Sequence, residues 1–170
     1  MRRIALFIAS AMAAGSTAFA AQAGPLGPVS SVNVIIGGDL ADKADRYGQR
    51  ELDFLAADLQ ASVEKALARS GDLAMDGGRL DLVIEDALPN RPTLEQMRDN
   101  PSLSYESFGI GGAAVSGVLT TADGRQIPVG YRWYETDIRW TIAASTWHDA
   151  TLTFDRFASR LARGETLARR

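Results

Sequence analysis

Apolar positions along the chain change period several times, and each change marks a new element. Val32, Val34 and Ile36 share one side of a short apolar run that stops at Gly37-Gly38, as a strand does. From Lys43 to Ser70 the spacing lengthens to three and four residues: Gly48, Leu52, Leu55, Leu59, Val63 and Leu67 form a stripe, with Arg50, Asp53, Asp58, Glu64 and Lys65 between them. This pattern predicts an amphipathic helix stopped near Gly71. Arg79 to Asp86 returns to alternation, Leu80, Leu82 and Ile84 facing one way and Asp81, Val83 and Glu85 the other, which predicts a strand with one covered face.

From Ala87 to Gly112 no period holds, and Pro89, Pro92 and Pro101 punctuate the run. So long a connection is unusual in a compact domain, and long ordered loops are disproportionately functional. Its prolines lower the entropy cost of ordering, so it is expected to pack over one end of the sheet. Ala113–Ala122 and Arg125–Tyr134 flank Asp123-Gly124, a pair preferred in type I′ hairpin turns. On the second arm Ile127, Val129, Tyr131 and Trp133 share a face, but Ile138, Trp140 and Ile142 have slipped by one residue. Either a bulge or a further turn is therefore needed around Glu135-Thr136-Asp137, with a fifth strand as one outcome. Trp147, Ala150, Phe154, Phe157 and Leu161 restore helical spacing, and Gly164 supplies a stop.

These elements add up to an α+β fold, a four- or five-stranded mainly antiparallel sheet with two helices packed on one face, in the order β-α-β-β-β-α. The single domain is expected over residues 32–164, between a Gly, Pro and Ser-rich flexible lead-in at 21–31 and a frayed tail at 165–170. The element order is similar to that of small envelope domains of bacterial lipoproteins and auxiliary components of transport or outer-membrane assembly. This chain departs from those lipoproteins in having no cysteine to carry a lipid. The runs Pro89-Asn90-Arg91-Pro92-Thr93, Ser107-Phe108-Gly109-Ile110-Gly111-Gly112 and Thr146-Trp147-His148-Asp149-Ala150 resemble the signature of an exported family, and they imply no activity.

The first twenty residues change the picture of where the domain works. Arg2 and Arg3 precede an apolar run from Ile4 to Ala14, and small residues end in Ala18-Phe19-Ala20, which is the layout of a secretory signal peptide cleaved after Ala20. Gly15, Ser16 and Thr17 break the run well short of the roughly 20 apolar residues that span a bilayer. The expectation is export through the general or the twin-arginine route to the periplasm or beyond, with no integral membrane segment left after cleavage. Loss of two arginines and no acidic residue would take the formal charge from −3 to −5. Net acidity gives no electrostatic reason to expect nucleic acid or an anionic membrane as partner.

Candidate chemistry is sparse. His148 is the only histidine and cysteine is absent, so no transition-metal set and no thiolate nucleophile can be assembled, and neither metal nor cofactor is expected. His148 beside Asp149 offers a general base with Ser107, Ser104 or Ser145 as nucleophile, but adjacent helical residues point in different directions. The competing reading has Ser145 or Thr146 capping the last helix with Asp149 in its first turn. Gly109-Ile110-Gly111-Gly112 leads into a strand rather than a helix, which suits close backbone approach better than phosphate binding. In the long loop, Pro89 and Pro92 bracket Asn90 and Arg91, presenting Arg91 as a rigidly held cation for a carboxylate or phosphate. Its counter-reading is that Thr93 caps a short helix through Glu95, Gln96 and Met97. Tyr134 and Arg132 lie opposite Tyr131 and Trp133 on the second hairpin arm and could form a stacking surface.

The candidate binding residues are thus Arg91, Asn90, Tyr134 and Arg132, with His148 and Ser107 as the catalytic alternative. The function favoured is a non-catalytic periplasmic binding or accessory protein acting by protein-protein contact through the open sheet face and the long loop, its partner an envelope protein or another envelope component. A hydrolase or transferase on an envelope component, or a small-ligand carrier with an apolar pocket between sheet and helices, are the alternatives.

Overall fold

The computed structural model describes residues 26–165. The expected signal peptide, residues 21–25 of the lead-in and residues 166–170 of the tail lie outside those residues. Four strands, β1 (Val29–Ile36), β2 (Gly78–Leu88), β3 (Gly112–Thr120) and β4 (Gln126–Tyr134), form one sheet in sequential order. β2, β3 and β4 run antiparallel to one another, while β1 lies parallel to β2. Parallel neighbours need a crossover, and it is supplied by α1 (Gly38–Ala41), α2 (Ala44–Tyr47) and α3 (Gln49–Ser70). The sheet is therefore mixed, and its order of elements is the expected one.

Packing follows the two periods seen in the sequence. Leu52, Leu55, Leu59, Val63 and Leu67 are the buried residues of α3, and Phe154, Phe157 and Leu161 line the buried side of α5 (His148–Ala162). Both helices lie on one face of the sheet, against each other and against Leu80, Leu82, Ile84, Val115, Leu119 and Val129. Two hydrogen bonds lock the helices in register along their outer edge: Thr151 Oγ1 donates to Asp58 Oδ2 (2.8 Å) and Ser62 Oγ to Asp155 Oδ1 (2.9 Å). The opposite sheet face is left open and carries exposed Ile35 and Val118.

The structure corrects several local expectations. β1 begins at Val29, which is buried, rather than at Val32, because a register shift between Val29 and Ser31 lets it pair ahead of the alternating run. The expected helix from Lys43 breaks at Gly48, whose φ of 96° lies outside the helical region, and α2 and α3 are separate pieces. The hairpin is present, but its turn is not type I′. Only Gly124 has positive φ (84°) there, and its N–H donates to the Thr121 carbonyl (2.8 Å), giving a type I turn closed by a left-handed glycine. No fifth strand follows β4 among the described residues. Ile138–Trp140 is a 3-10 turn, with the Asp137 side chain accepting from the Arg139 N–H (3.0 Å).

The long connection contains α4 (Leu94–Asp99), opened by a reciprocal capping box. Thr93 Oγ1 accepts from Gln96 N–H (3.3 Å), and Gln96 Oε1 accepts from Thr93 N–H (3.1 Å). Leu59 is fully buried at the meeting of α3 with the sheet. Leu59→Ala is expected to cost about 2 to 5 kcal/mol, by lost burial plus the cavity left behind. A lowered urea midpoint at unchanged slope is the measurement; an unmoved midpoint would show that the α3 stripe does not face the core.

Candidate functional site

The three non-periodic runs singled out in the sequence meet at one end of the sheet. Their junction is built on Asn90 and Asp149. Asn90 Nδ2 donates to Asp149 Oδ2 (2.6 Å), and the Asp149 N–H donates back to Asn90 Oδ1 (2.8 Å). The Gly111 N–H adds a third bond to Asp149 Oδ2 (3.0 Å). Asn90 Nδ2 also reaches the Gly109 carbonyl (3.1 Å), and its backbone bonds to Thr146 O (2.7 Å) and Gly109 N (2.8 Å). Asn90 is 1% exposed, so these bonds are made away from water, where each is worth most and where losing one leaves a bare polar group.

This knot also caps α5. The residue before the helix is Trp147, which makes no side-chain cap, so neither Ser145 nor Thr146 fills the role expected of them. Asn90 supplies the acceptor instead, taking the N–H of the second helical residue from a position 59 residues away in sequence. Trp147 is buried and points away from the cap, donating Nε1–H to Glu51 Oε2 (2.6 Å) and meeting Tyr47 edge to face at 5.6 Å. Gly111 has to be small here: a Cβ would sit 2.5 Å from Asn90 Oδ1. The glycine run therefore serves close approach of backbone to Asn90.

Arg91, next to Asn90, straps two segments together. Its Nε donates to Ala143 O (2.7 Å) and its Nη1 to the Tyr105 carbonyl, while the guanidinium lies 5.0 Å from the Tyr105 ring centroid. Ala143 is buried with φ of 41°, a left-handed conformation that costs an alanine about 1–2 kcal/mol and that the Arg91 bond helps to hold. At least two of the Arg91 donors are thus committed to the protein's own backbone.

The remaining candidates are scattered around this end. His148 is half-buried at the first position of α5, and the Asp149 carboxylate faces Asn90 and Gly111 instead of orienting the imidazole. Ser107 Oγ accepts from the Ser104 N–H (3.1 Å) in a local turn. Tyr134 is half-buried and donates its hydroxyl to Asp86 Oδ2 (2.8 Å), whose other oxygen takes Lys43 Nζ (2.7 Å). Burial pushes the Asp86 carboxyl up, but the bonds from Lys43 and Tyr134 together outweigh it and hold it below the usual aspartate range. Burial and the same carboxylate raise the Tyr134 phenol, so the ring stays neutral and anchored. Arg132 stays exposed.

No protein-family model matches the chain, and no curated protein matches it. Among solved structures, a minor lipoprotein from Acinetobacter baumannii matches at 12% identity with a TM-score of 0.38, over 81% of this chain and 90% of that one. A likeness of that size bears on neither activity nor location.

A small cavity between sheet and helices, lined by Val29, Leu67, Leu80, Leu119 and Leu161 with Asp72, amounts to about 10 Å³, room for roughly one water. A cavity of that size does not by itself hold a small organic ligand. No group of three or more His, Asp or Glu among the described residues is placed to hold a metal ion. No helix among them is long and apolar enough to cross a membrane.

The two neighbours in the loop separate experimentally. Asn90→Ala takes the amide donor from the buried Asp149 carboxylate, leaving it the Gly111 N–H, and uncaps α5, so a loss of about 3 kcal/mol is expected. Arg91→Ala exposes two carbonyls nearer to solvent and is expected to cost about 1 kcal/mol. Chemical denaturation of both variants checks the order; equal and small losses would show that the knot does not hold this end.

Proposed function

We propose that this chain is a non-catalytic binding or accessory protein of the bacterial periplasm, acting by contact with an envelope protein. The observation that carries the reading is the exposed apolar surface on the segments strapped together by Arg91. Tyr105, Phe108 and Ile110 come from the long loop, with Phe108 56% exposed, and Ile138, Trp140 and Ile142 follow β4, with Trp140 74% and Ile142 72% exposed. Isolated exposed apolar residues are ordinary, but six large ones on two adjoining segments are the composition of a recognition surface. Trp and Tyr are also the residue types that dominate interface energetics.

Preorganisation supports the same reading. A mobile loop would lose binding energy to ordering, whereas this one is already fixed by Asn90, Arg91, the α4 capping box and the Glu135 N–H bond to Gly111 O (2.9 Å). Export to the periplasm rests on the Met1–Ala20 pattern.

A photo-crosslinking amino acid at position 140, introduced in growing cells, tests the proposal. It is expected to give one discrete protein adduct that is lost when Ile138 and Ile142 are both changed to Ser, with the melting temperature little altered because both side chains are exposed. The same amino acid at Asn33, on the open sheet face, is expected to give none. An adduct from Asn33 with nothing from position 140 would move the contact surface to the sheet, and silence at both would remove the proposal.

A further inference from the structure

Arg156 and Arg160 in the second half of α5 and Arg163 at its C-cap follow one another at helical spacing, away from the Asn90 knot at the start of the helix. The helix here overlooks β4, the edge strand of the sheet. The Arg156 guanidinium lies 4.2 Å from the Trp133 ring centroid and that of Arg160 lies 5.3 Å from the Tyr131 centroid. Attraction to the ring restrains each guanidinium while its N–H groups remain the donors it can offer to a ligand. An aromatic shelf thus holds two arginines in place one helical turn apart.

The arginines line an open groove of about 470 Å³ together with Tyr131, Asp155 and Ser159. A second hollow of about 250 Å³ adjoins it across Asp155 and Ser159, and there α3 adds Lys65 and Arg69. Two carboxylates offset part of this charge. Asp155 is engaged by Ser62, and Glu165 accepts from Arg163 (2.7 Å) and stands 3.7 Å from Arg160. Arg156 forms no ion pair among the described residues. Basic groups from two helices therefore collect on one side of a chain whose formal charge is −3.

We propose that this groove is a binding site for phosphate groups, with Arg156 and Arg160 as the principal donors and Arg163 at its rim. A phosphate offers several strong acceptors, enough to take the planar forks of two arginines at once, and neighbouring phosphates match cations spaced a helical turn apart. A free phosphorylated ligand and a phospholipid headgroup share that chemistry, and two probes separate them.

Inorganic pyrophosphate is titrated into isotopically labelled protein while the Trp133 indole and the arginine Nε–H signals are followed. In parallel, the protein is sedimented with phosphatidylcholine vesicles that carry or lack phosphatidylglycerol. The site predicts a saturable response to at least one probe, weakened on the order of tenfold when Arg156 and Arg160 are both changed to Gln. Arg98→Gln, which removes an exposed arginine paired with Glu95 on α4, is expected to change nothing. A pyrophosphate response alone assigns a free phosphorylated ligand, a vesicle response alone a phospholipid surface, and both assign the phosphate group itself. Silence with both probes, or the same weakening from Arg98→Gln, overturns the proposal. Should the double variant fail to fold, the wild-type signals decide: shifts confined to Trp133, Arg156 and Arg160 support the site, and shifts spread over all arginines overturn it.

Discussion

One buried pair of side chains fixes the end of the molecule where the long loop lies. Asn90 and Asp149 each donate to and accept from the other, and through them the N-terminus of α5, the start of the loop and the glycine run before β3 become one rigid piece. The arrangement is economical in polar groups. A single carboxylate takes an amide side chain and a backbone N–H, while the amide oxygen replaces the cap that Trp147 cannot provide. Because the pair is buried, its geometry is set by the packing of α5 against the sheet, and that packing is in turn set by Phe154 and Phe157. Loop order and core order are thus coupled.

That coupling explains why large apolar side chains can stand exposed at Tyr105, Phe108, Ile138, Trp140 and Ile142. On a mobile connection they would collapse onto the nearest apolar surface. Here the backbone beneath them is held by Arg91, which bonds to carbonyls on both segments, and by the turn at Asp137. The second half of α5 has a different character, with Arg160 and Arg156 in cation–π contact with Tyr131 and Trp133 above the sheet edge. The same helix therefore buries its first turn in a hydrogen-bonded polar knot and carries a concentrated positive charge farther along.

Much of the fold was legible because it depends on local periodicity. The stripe from Leu52 to Leu67, the alternation of Leu80, Leu82 and Ile84, and the parity that sets Tyr134 opposite Trp133 all follow from side-chain direction along a helix or strand. What stayed hidden depends on long-range register. Nothing near Asn90 in sequence indicates that its partner is Asp149, and Ser145-Thr146 offered a plausible cap that obscured the need for a distant one. The two prolines beside Asn90 signalled a fixed backbone, but not that the fixed side chain would point inward. The spacing of Arg156, Arg160 and Arg163 was visible, yet its meaning required knowing which strand α5 crosses. Net charge gave the opposite impression, since a sum over the chain does not report where the charges lie.

Native-state hydrogen exchange at the Asp149 and Gly111 amides tests the central claim most directly, because both N–H groups donate into the knot and neither belongs to the interior of a helix or strand ladder. If Asn90 and Asp149 bind this end to the core, both amides exchange only through global unfolding, with the same opening free energy as the amide of Leu59. Exchange of either amide through a low-energy local opening, while Leu59 stays protected, would contradict the account and leave the loop end as a separately mobile region.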